Sequence, residues 1–179
     1  MSGLIVRAST EADVARCAEI YGHHVLHGTA SFEVEPPDLA EMRKRRAAVL
    51  DLGLPHLVAE RDGLVLGYAY AGNWRPRPAY KFSVEDSIYI AHDAVGQGVG
   101  RALLPVLIEQ CTAMGKRQMV AVIGNSAQTP SIRLHVSCGF AMVGTPDQYR
   151  LQVRPLARQR ADATAAGHGR RAAPGERLR

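Results

Sequence analysis

The sequence predicts an α/β domain, in which helices flank a mixed central sheet. Its clearest stretch runs from Asp86 to Gln110, where alternating apolar residues lead into a glycine turn and then into an apolar run of helical length. Two further runs, at positions 55–60 and 65–70, are joined by an Asp-Gly pair, which is typical of a β-hairpin. Another strand is expected at Gln118 to Ile123. Strands and helices therefore alternate along 179 residues, a length that suits one domain.

The elements before the hairpin are read from caps and periodicity. Residues 4–7 are predicted to form the first strand. Ser9 or Thr10 is expected to cap the first helix, whose apolar residues recur at helical spacing. Asp38 caps a second predicted helix that extends through Leu50. Three histidines follow the first helix, and we expect them in a solvated loop: His23, His24 and His27.

The elements after the hairpin surround the glycine turn. The strand Ser87–Ile90 is predicted to precede it, and the main helix to follow it. A short helix from Pro130 to Cys138 follows the last predicted strand. Gly139 is its expected C-cap, because glycine readily adopts the left-handed conformation that ends many helices.

The net charge of +5 comes from the C-terminal segment. From Arg150 onward there are eight arginines and two acidic residues, which leaves 14 basic and 15 acidic residues before it. A nearly neutral body argues against nucleic acid as a partner. No apolar run reaches membrane-spanning length, so we expect a soluble, cytoplasmic protein that does not bind membranes. The odd number of scattered cysteines fits reduced thiols better than disulfides or a metal site: Cys17, Cys111 and Cys138.

The glycine turn is the first functional signal. The first amides of a helix have no partner within it, and the helix dipole adds partial positive charge there, so a strand–turn–helix unit can bind an anion. The turn 96–100 lacks the G-x-G-x-x-G spacing of dinucleotide sites, and no Lys-Ser/Thr follows it as in a P-loop. An ordinary strand-to-helix turn remains an alternative at this point.

Several stretches, arriving in order, resemble the GNAT superfamily of N-acetyltransferases, and within it the phosphinothricin and methionine sulfoximine N-acetyltransferases. Gly98-Val99-Gly100 matches the core of that family's [RQ]-x-x-G-x-[GA] turn, although Val95 stands at the [RQ] position. The other matching stretches are Thr29–Pro37, Tyr68–Ile90, Val120–Gly124 and Ser131–Phe140. The resemblance spans residues 3 to 145.

The resemblance implies the GNAT fold, in which Ser87–Ile90 and Gln118–Ile123 would splay apart. It implies an acyltransferase that uses acetyl-CoA as co-substrate, needs no metal and forms a homodimer. The substrate would be a small amino-acid-like amine such as phosphinothricin or methionine sulfoximine. Its amine would attack the thioester directly.

Two residues are implied to be catalytic. Glu85 stands where the family carries its glutamate, and a partly desolvated carboxylate has the raised pKa that suits it to take a proton from the amine. His135 stands where many GNAT enzymes carry a tyrosine near the CoA sulfur, and it could protonate the thiolate directly or through water. A surface carboxylate and a core histidine are the plain alternatives for these residues.

The resemblance also implies the binding residues. Backbone amides would hold the pantetheine arm at Ile90 and His92, and the pyrophosphate at Gln97, Gly98, Val99, Gly100, Arg101 and Ala102. In the SIRLH segment, Ser131 would contact CoA, and Gln128 replaces the family's Asn. Arg75 and Arg77 would clamp the substrate carboxylate in a bidentate fork, between walls formed by Phe32 and Tyr80.

Two other functions stay open at the level of sequence. One is a nucleotide-binding module of another fold that uses the same turn without acyl transfer. The other is a GNAT-like domain that binds acetyl-CoA without activity. Saturation with acetyl-CoA, but not with NAD or ATP, would separate the first from an acetyltransferase.

The resemblance ends at about residue 145. The segment after Thr145 can be encoded by codons that, once a single base is removed, encode the family's C-terminal pattern instead. We therefore hypothesise a shifted reading frame near Pro146. The sequence thus predicts a GNAT domain at 1–146 and an Arg-, Ala- and Gly-rich, poorly ordered tail at 147–179. We expect irregular or helical structure after about Tyr149 and an unpaired sheet edge near Phe140–Val143.

Overall fold

A seven-stranded mixed sheet with four flanking helices forms the described part of the chain. The computed structural model describes residues 3–28, 31, 33–123, 129–144 and 150–156. The helices are α1 (Val14–His27), α2 (Leu39–Asp51), α3 (Val99–Ala113) and α4 (Thr129–Ser137). In sheet order, the strands are β1 (Ile5–Ala8), β2 (His56–Arg61), β3 (Leu64–Asn73), β4 (Ser83–Ile90), β5 (Gln118–Ile123), β7 (Arg150–Pro155) and β6 (Ala141–Gly144). The predicted α/β class and mixed sheet are confirmed.

The helices cover opposite faces of the sheet. Successive residues of a strand point to opposite faces. Tyr89 packs edge-on against Tyr21 of α1, at 4.9 Å between ring centroids. A Cβ built on Gly67 would meet both Ile90 of β4 and Val99 of α3 at 2.9 Å. The apolar core therefore lies in two layers, with α1 on one side of the sheet and α3 on the other.

Strands β4 and β5 pair in parallel only over the first half of β4. The register joins Ser83 to Gln118 and continues as far as Asp86 with Ala121. Beyond that point, residues 87–90 of β4 have no partner in β5 and pair only with β3. The predicted splay is confirmed, and it creates an opening in the middle of the sheet.

Several local predictions agree with the structure. Asp62 and Gly63 have φ values of 53° and 78°, as a two-residue hairpin turn requires. Asp38 caps α2 by accepting a hydrogen bond from the Glu41 amide at 2.7 Å. Gly139 follows α4 with φ 87°. These features depend on neighbouring residues, and local sequence therefore predicts them.

The expectation for the C-terminal segment is wrong where it is described. Residues Arg150–Pro155 form β7, which lies between β5 and β6 and pairs antiparallel with both. Strand β6 is therefore paired on one side, and Leu156 after β7 is buried. Backbone hydrogen bonds to two neighbouring strands outweigh the weak apolar alternation of this segment. The shifted-frame hypothesis loses its structural support and keeps only the codon argument.

The histidines after Tyr21 are also placed differently from the prediction. His23, His24 and His27 belong to the last turns of α1, and no loop holds them. Across the described residues, no three His, Cys, Asp or Glu side chains are placed to hold a metal ion. None of the helices described is long and apolar enough to cross a membrane.

Candidate active site

Two cavities meet at the opening between β4 and β5. The smaller, of about 220 Å³, contains Glu85, Asp86 and His135 in its walls. The larger, of about 660 Å³, is a cleft that extends past the glycine turn at the start of α3. Ile88 and Ser131 line both cavities. A ligand in the cleft can therefore reach the groups in the smaller cavity.

Glu85 lies inside β4 and points toward the smaller cavity. The strand was predicted to begin at Ser87, after Glu85, but it begins at Ser83. Glu85 therefore lies within the strand, and it still lies beside the splay. Burial raises the pKa of its carboxyl group, and the negative charge of Asp86 raises it further. Glu85 is thus a partly buried carboxylate that can take a proton from a bound amine.

His135 is buried in α4, and both of its ring nitrogens have partners. Nδ1 lies 2.7 Å from the backbone oxygen of Ser131, and Nε2 lies 2.9 Å from Oδ2 of Asp86. The ring also packs edge-on against Phe140. Burial lowers the pKa of His135, but the hydrogen bond and charge of Asp86 outweigh burial, so the net direction is upward.

Four amides at the start of α3 are candidates for an anion site. Gly98 is the N-cap with φ 85°, and Ala102 is the first residue bonded within the helix, to the Gly98 oxygen at 3.0 Å. The Gln97 amide is bonded to the Ala94 oxygen at 3.2 Å. Of the six predicted amides, those of Gln97 and Ala102 are therefore already taken, and Gly98 to Arg101 remain.

Close packing of α3 against α4 gives the cleft its shape. A Cβ on Gly100 would meet Cδ2 of Leu134 at 2.8 Å, so glycine lets α4 approach the first turn of α3. The cleft walls are largely apolar, with Val99, Leu134 and Pro130 among them. An apolar cleft that ends in four helix-terminal amides fits a ligand with an aliphatic arm and a diphosphate, which is the chemistry of acetyl-CoA.

The predicted pantetheine contacts lie at the end of β4. The Ala91 amide bonds to the Leu66 oxygen of β3 at 2.9 Å. Successive amides of a strand alternate in direction, so the amide of Ile90 points into the splay.

The Ile90 oxygen lies 2.8 Å from Nε2 of His24, a cleft residue that the sequence analysis placed in a solvated loop. His92 begins a 3-10 turn after β4 and stacks on His23. Gln128 lies outside the described residues.

The predicted substrate residues lie beside the cavities but line neither. Arg75, Arg77 and Tyr80 surround a separate hollow with Trp74 and Pro76. The Arg75 guanidinium lies between two rings, 5.4 Å from the centroid of Trp74 and 5.9 Å from that of Tyr80. This loop begins two residues after Gly72, which pairs with Glu85, so it lies near that carboxylate. Phe32 lies outside the described residues.

A network missed by sequence reasoning closes the far wall of the smaller cavity. The Tyr21 hydroxyl donates to Oε1 of Glu33 at 3.0 Å and lies 2.9 Å from Oγ of Ser31. Arg45 of α2 donates to both oxygens of Glu33, at 2.7 and 3.3 Å. The hydrogen bonds from Arg45 hold the pKa of Glu33 below its usual range. No local motif reports this network, because its members come from α1, α2 and the segment between them.

An amide-lined cleft that opens between splayed parallel strands, beside a partly buried carboxylate, defines a CoA-dependent acyltransferase site. Comparison with known proteins agrees: the profile of the acetyltransferase (GNAT) family matches residues 18–140. The chain therefore belongs to the GNAT acetyltransferase family, whose acetyl donor is acetyl-CoA.

Relatives with curated names share most of the chain. It is 57% identical over 139 residues to a phosphinothricin N-acetyltransferase of Alcaligenes faecalis, covering 78% of this chain and 71% of that protein. It is 39% identical over 145 residues to an L-methionine sulfoximine/L-methionine sulfone acetyltransferase of Salmonella typhimurium, covering 81% and 84%. A solved phosphinothricin acetyltransferase from Sinorhizobium meliloti, in complex with AcCoA, superposes with a TM-score of 0.81 at 41% identity, covering 86% and 88%.

Proposed function

We propose that this acetyltransferase acetylates the amino group of a small amino-acid-like substrate, such as phosphinothricin or methionine sulfoximine. The observation that carries the proposal is the meeting of the two cavities at Ile88 and Ser131, which brings the cleft to the side of Glu85. Relatives named for these two substrates support the substrate class.

In the proposed mechanism, the residues of this chain position the reactants and move protons. Acetyl-CoA, when bound, supplies an acetyl thioester. The amides of Gly98 to Arg101 hold the diphosphate, and the Ile90 amide holds the aliphatic arm. Glu85 takes one proton from the substrate ammonium, and the free amine attacks the thioester directly. The nitrogen then releases its second proton to solvent as the amide forms. His135 supplies the proton that the leaving sulfur needs, directly or through water.

The charges of the smaller cavity favour an ammonium group over a carboxylate. Its described walls carry three carboxylates, Glu33, Glu85 and Asp86, against one basic side chain, His135, and no lysine or arginine. The carboxylate of an amino acid would therefore be repelled from the cavity and bound outside it. We propose Arg75 and Arg77 for this contact, with Tyr80 beside them, because their loop leaves β3 next to Glu85. Phe32 remains part of the proposal as a wall of the substrate pocket.

The direct test is an acetylation assay with purified protein. Acetyl-CoA consumption is followed with phosphinothricin, with methionine sulfoximine and with the amine of each that lacks the α-carboxylate. We expect saturable acetylation of the amino acids and at least tenfold lower kcat/KM for the decarboxylated amines. Acetyl-CoA binding without turnover on any of these amines would favour the inactive, acetyl-CoA-binding alternative.

Replacing Arg75 with alanine should raise KM for the amino acid. A hydrogen bond to a charged group contributes about 1.5–3 kcal/mol, which corresponds to roughly 10–100-fold in KM. KM for acetyl-CoA should change less than about threefold, since Arg75 lies outside the cleft. Steady-state kinetics measures both constants. Arg43→Ala, an exposed arginine on α2, is the matched control, and an unchanged KM in Arg75→Ala would remove this residue from the clamp.

We further propose that the protein is a cytoplasmic homodimer. Strand β6 is one of the two outer strands of the sheet and exposes Met142 and Val143, which are 40% and 55% accessible. Exposed apolar residues on an outer strand favour association. Three free cysteines, two of them buried, suit a reducing compartment. Analytical ultracentrifugation of wild type and Val143→Asp tests the dimer, and a monomeric wild type would contradict it.

A further inference from the structure

The buried pair of Asp86 and His135 connects the two walls of the active-site opening. Asp86 belongs to β4 and His135 to α4, and their side chains are 1% and 2% exposed. A charged group is costly to bury unless it is paired, so this pair needs an explanation. The proposed function gives His135 a proton to donate but counts Asp86 only among the charges of the cavity wall.

The hydrogen-bond partners of His135 require an additional proton in the pair. A neutral imidazole donates from one ring nitrogen only. Here Nδ1 faces the carbonyl oxygen of Ser131, and Nε2 faces the Asp86 carboxylate, and both of these groups are acceptors. A neutral ring beside an ionised carboxylate would leave one nitrogen lone pair against an oxygen lone pair. Both ring nitrogens can make hydrogen bonds only when the Asp86–His135 pair holds one proton more than a neutral ring and an ionised carboxylate hold together.

The second oxygen of Asp86 shows how strongly this buried carboxylate depends on His135. Oδ1 is buried and has no hydrogen-bond partner among the described residues, although Asp86 lies in the wall of the smaller cavity. A buried carboxylate that receives few hydrogen bonds depends on its cationic partner for stabilisation. Protonation of His135 is thus favoured by the same contact that makes burial of Asp86 tolerable.

We propose that Asp86 is a positioning residue, which keeps His135 doubly protonated at neutral pH so that the pair carries the proton destined for the leaving sulfur. This inference rests on the proposed acetyl transfer. When the new C–N bond forms and the C–S bond breaks, the nitrogen releases one proton to solvent, the sulfur gains one proton and the pair loses one. The pair then consists of an ionised carboxylate and a neutral ring, and it regains its proton from solvent before the next cycle.

Few other charges act on the pair. Among the described residues, the titratable side chains that line the smaller cavity with the pair are Glu85, Glu33, Tyr21 and Tyr89, and Cys111 on α3 also interacts with Asp86. Burial raises the pKa of Cys111 to about 12, so this thiol is neutral at pH 7. Both glutamates, when ionised, favour a cationic ring. Two further neighbours are uncharged: Ala121 of β5, which pairs with Asp86, and Phe140, whose ring packs against His135.

The protonation state of His135 can be measured without any assay of activity. In ¹⁵N-labelled wild-type protein at pH 7, the ring should show the signature of two N–H groups by two-dimensional NMR. His135→Gln assigns the signal. In Asp86→Asn the ring should be neutral at the same pH. Asp51→Asn, at the exposed end of α2, is the matched control. A neutral ring in folded wild-type protein would overturn the inference while leaving acetylation untouched.

The pH profile of kcat/KM separates proton supply from a purely structural role. The wild-type rate should fall at alkaline pH as the pair loses its proton. Loss of an opposite charge at this distance lowers a pKa by about 1–3 pH units, so the alkaline limb of Asp86→Asn should move that far toward lower pH. Asp86→Asn/His135→Gln should be no slower than His135→Gln. A rate that drops equally at every pH would show that the pair only ties α4 to β4.

Discussion

Glu85→Gln should lower kcat by about 10²–10⁴-fold at neutral pH, which is the usual contribution of a general base. Glutamine has the same shape but cannot accept the proton of an ammonium group. Acetyl-CoA binding should change little, because Glu85 lies in the smaller cavity and not in the cleft. Steady-state kinetics and isothermal titration calorimetry measure the two quantities.

The same residue should determine the acidic limb of the wild-type pH profile. Glu85 acts as a base only when ionised, and burial together with Asp86 raises its pKa. The rate should therefore fall, as pH is lowered, at a higher pH than an ordinary glutamate would give. Glu109→Gln, at an exposed position of α3, is the control. A full rate in Glu85→Gln would assign proton removal to another group or to water.

Gly98→Asp should weaken acetyl-CoA binding by about 10–100-fold, or roughly 1.4–2.8 kcal/mol. Gly98 is the N-cap of α3, and an aspartate there would place a carboxylate beside four amides that we expect to bind a diphosphate. Like charges brought together at a binding site are strongly unfavourable. Calorimetry with acetyl-CoA at constant ionic strength measures the loss.

Gly98→Asn separates charge from shape. Asn and Asp tolerate the positive φ of 85° better than most residues, and a Cβ at this position meets no atom within 4 Å. Both variants should therefore fold, with melting temperatures close to each other. Binding should be weakened much more by Asp than by Asn. Equal affinities in the two variants would mean that no anion binds at the start of α3.

Local features of the chain were predictable because short-range rules produce them. The hairpin at Asp62-Gly63, the cap at Asp38 and the glycine end of α4 all follow from neighbouring residues. Strand β7 was not predictable in this way. Its backbone is stabilised by two flanking strands, and its side-chain pattern carries little signal. Context from distant strands overrides weak local preference in such segments.

The site was predictable in part for the same reason. Glu85, Ser131 and the glycine turn stand in stretches whose order along the chain resembles one family, so their neighbourhood could be inferred. The partnership of Asp86 with His135, 49 positions apart, could not. Nor could the network of Arg45, Glu33 and Tyr21, which three separate segments contribute. Side-chain pairs of this kind form only when packing brings remote elements together.

The amino-acid order thus carries the acetyltransferase family, the strand–turn–helix unit and the position of Glu85, our proposed base. Tertiary packing decides which groups of that unit remain available. It bonds the amides of Gln97 and Ala102 within the protein and leaves those between them for a ligand. It also buries His135 between two acceptors, and our proposal for the charge of the ring rests on this placement. The physical reason is that a hydrogen-bond donor is available to a ligand only if folding has not already paired it, and this pairing depends on residues far away in sequence.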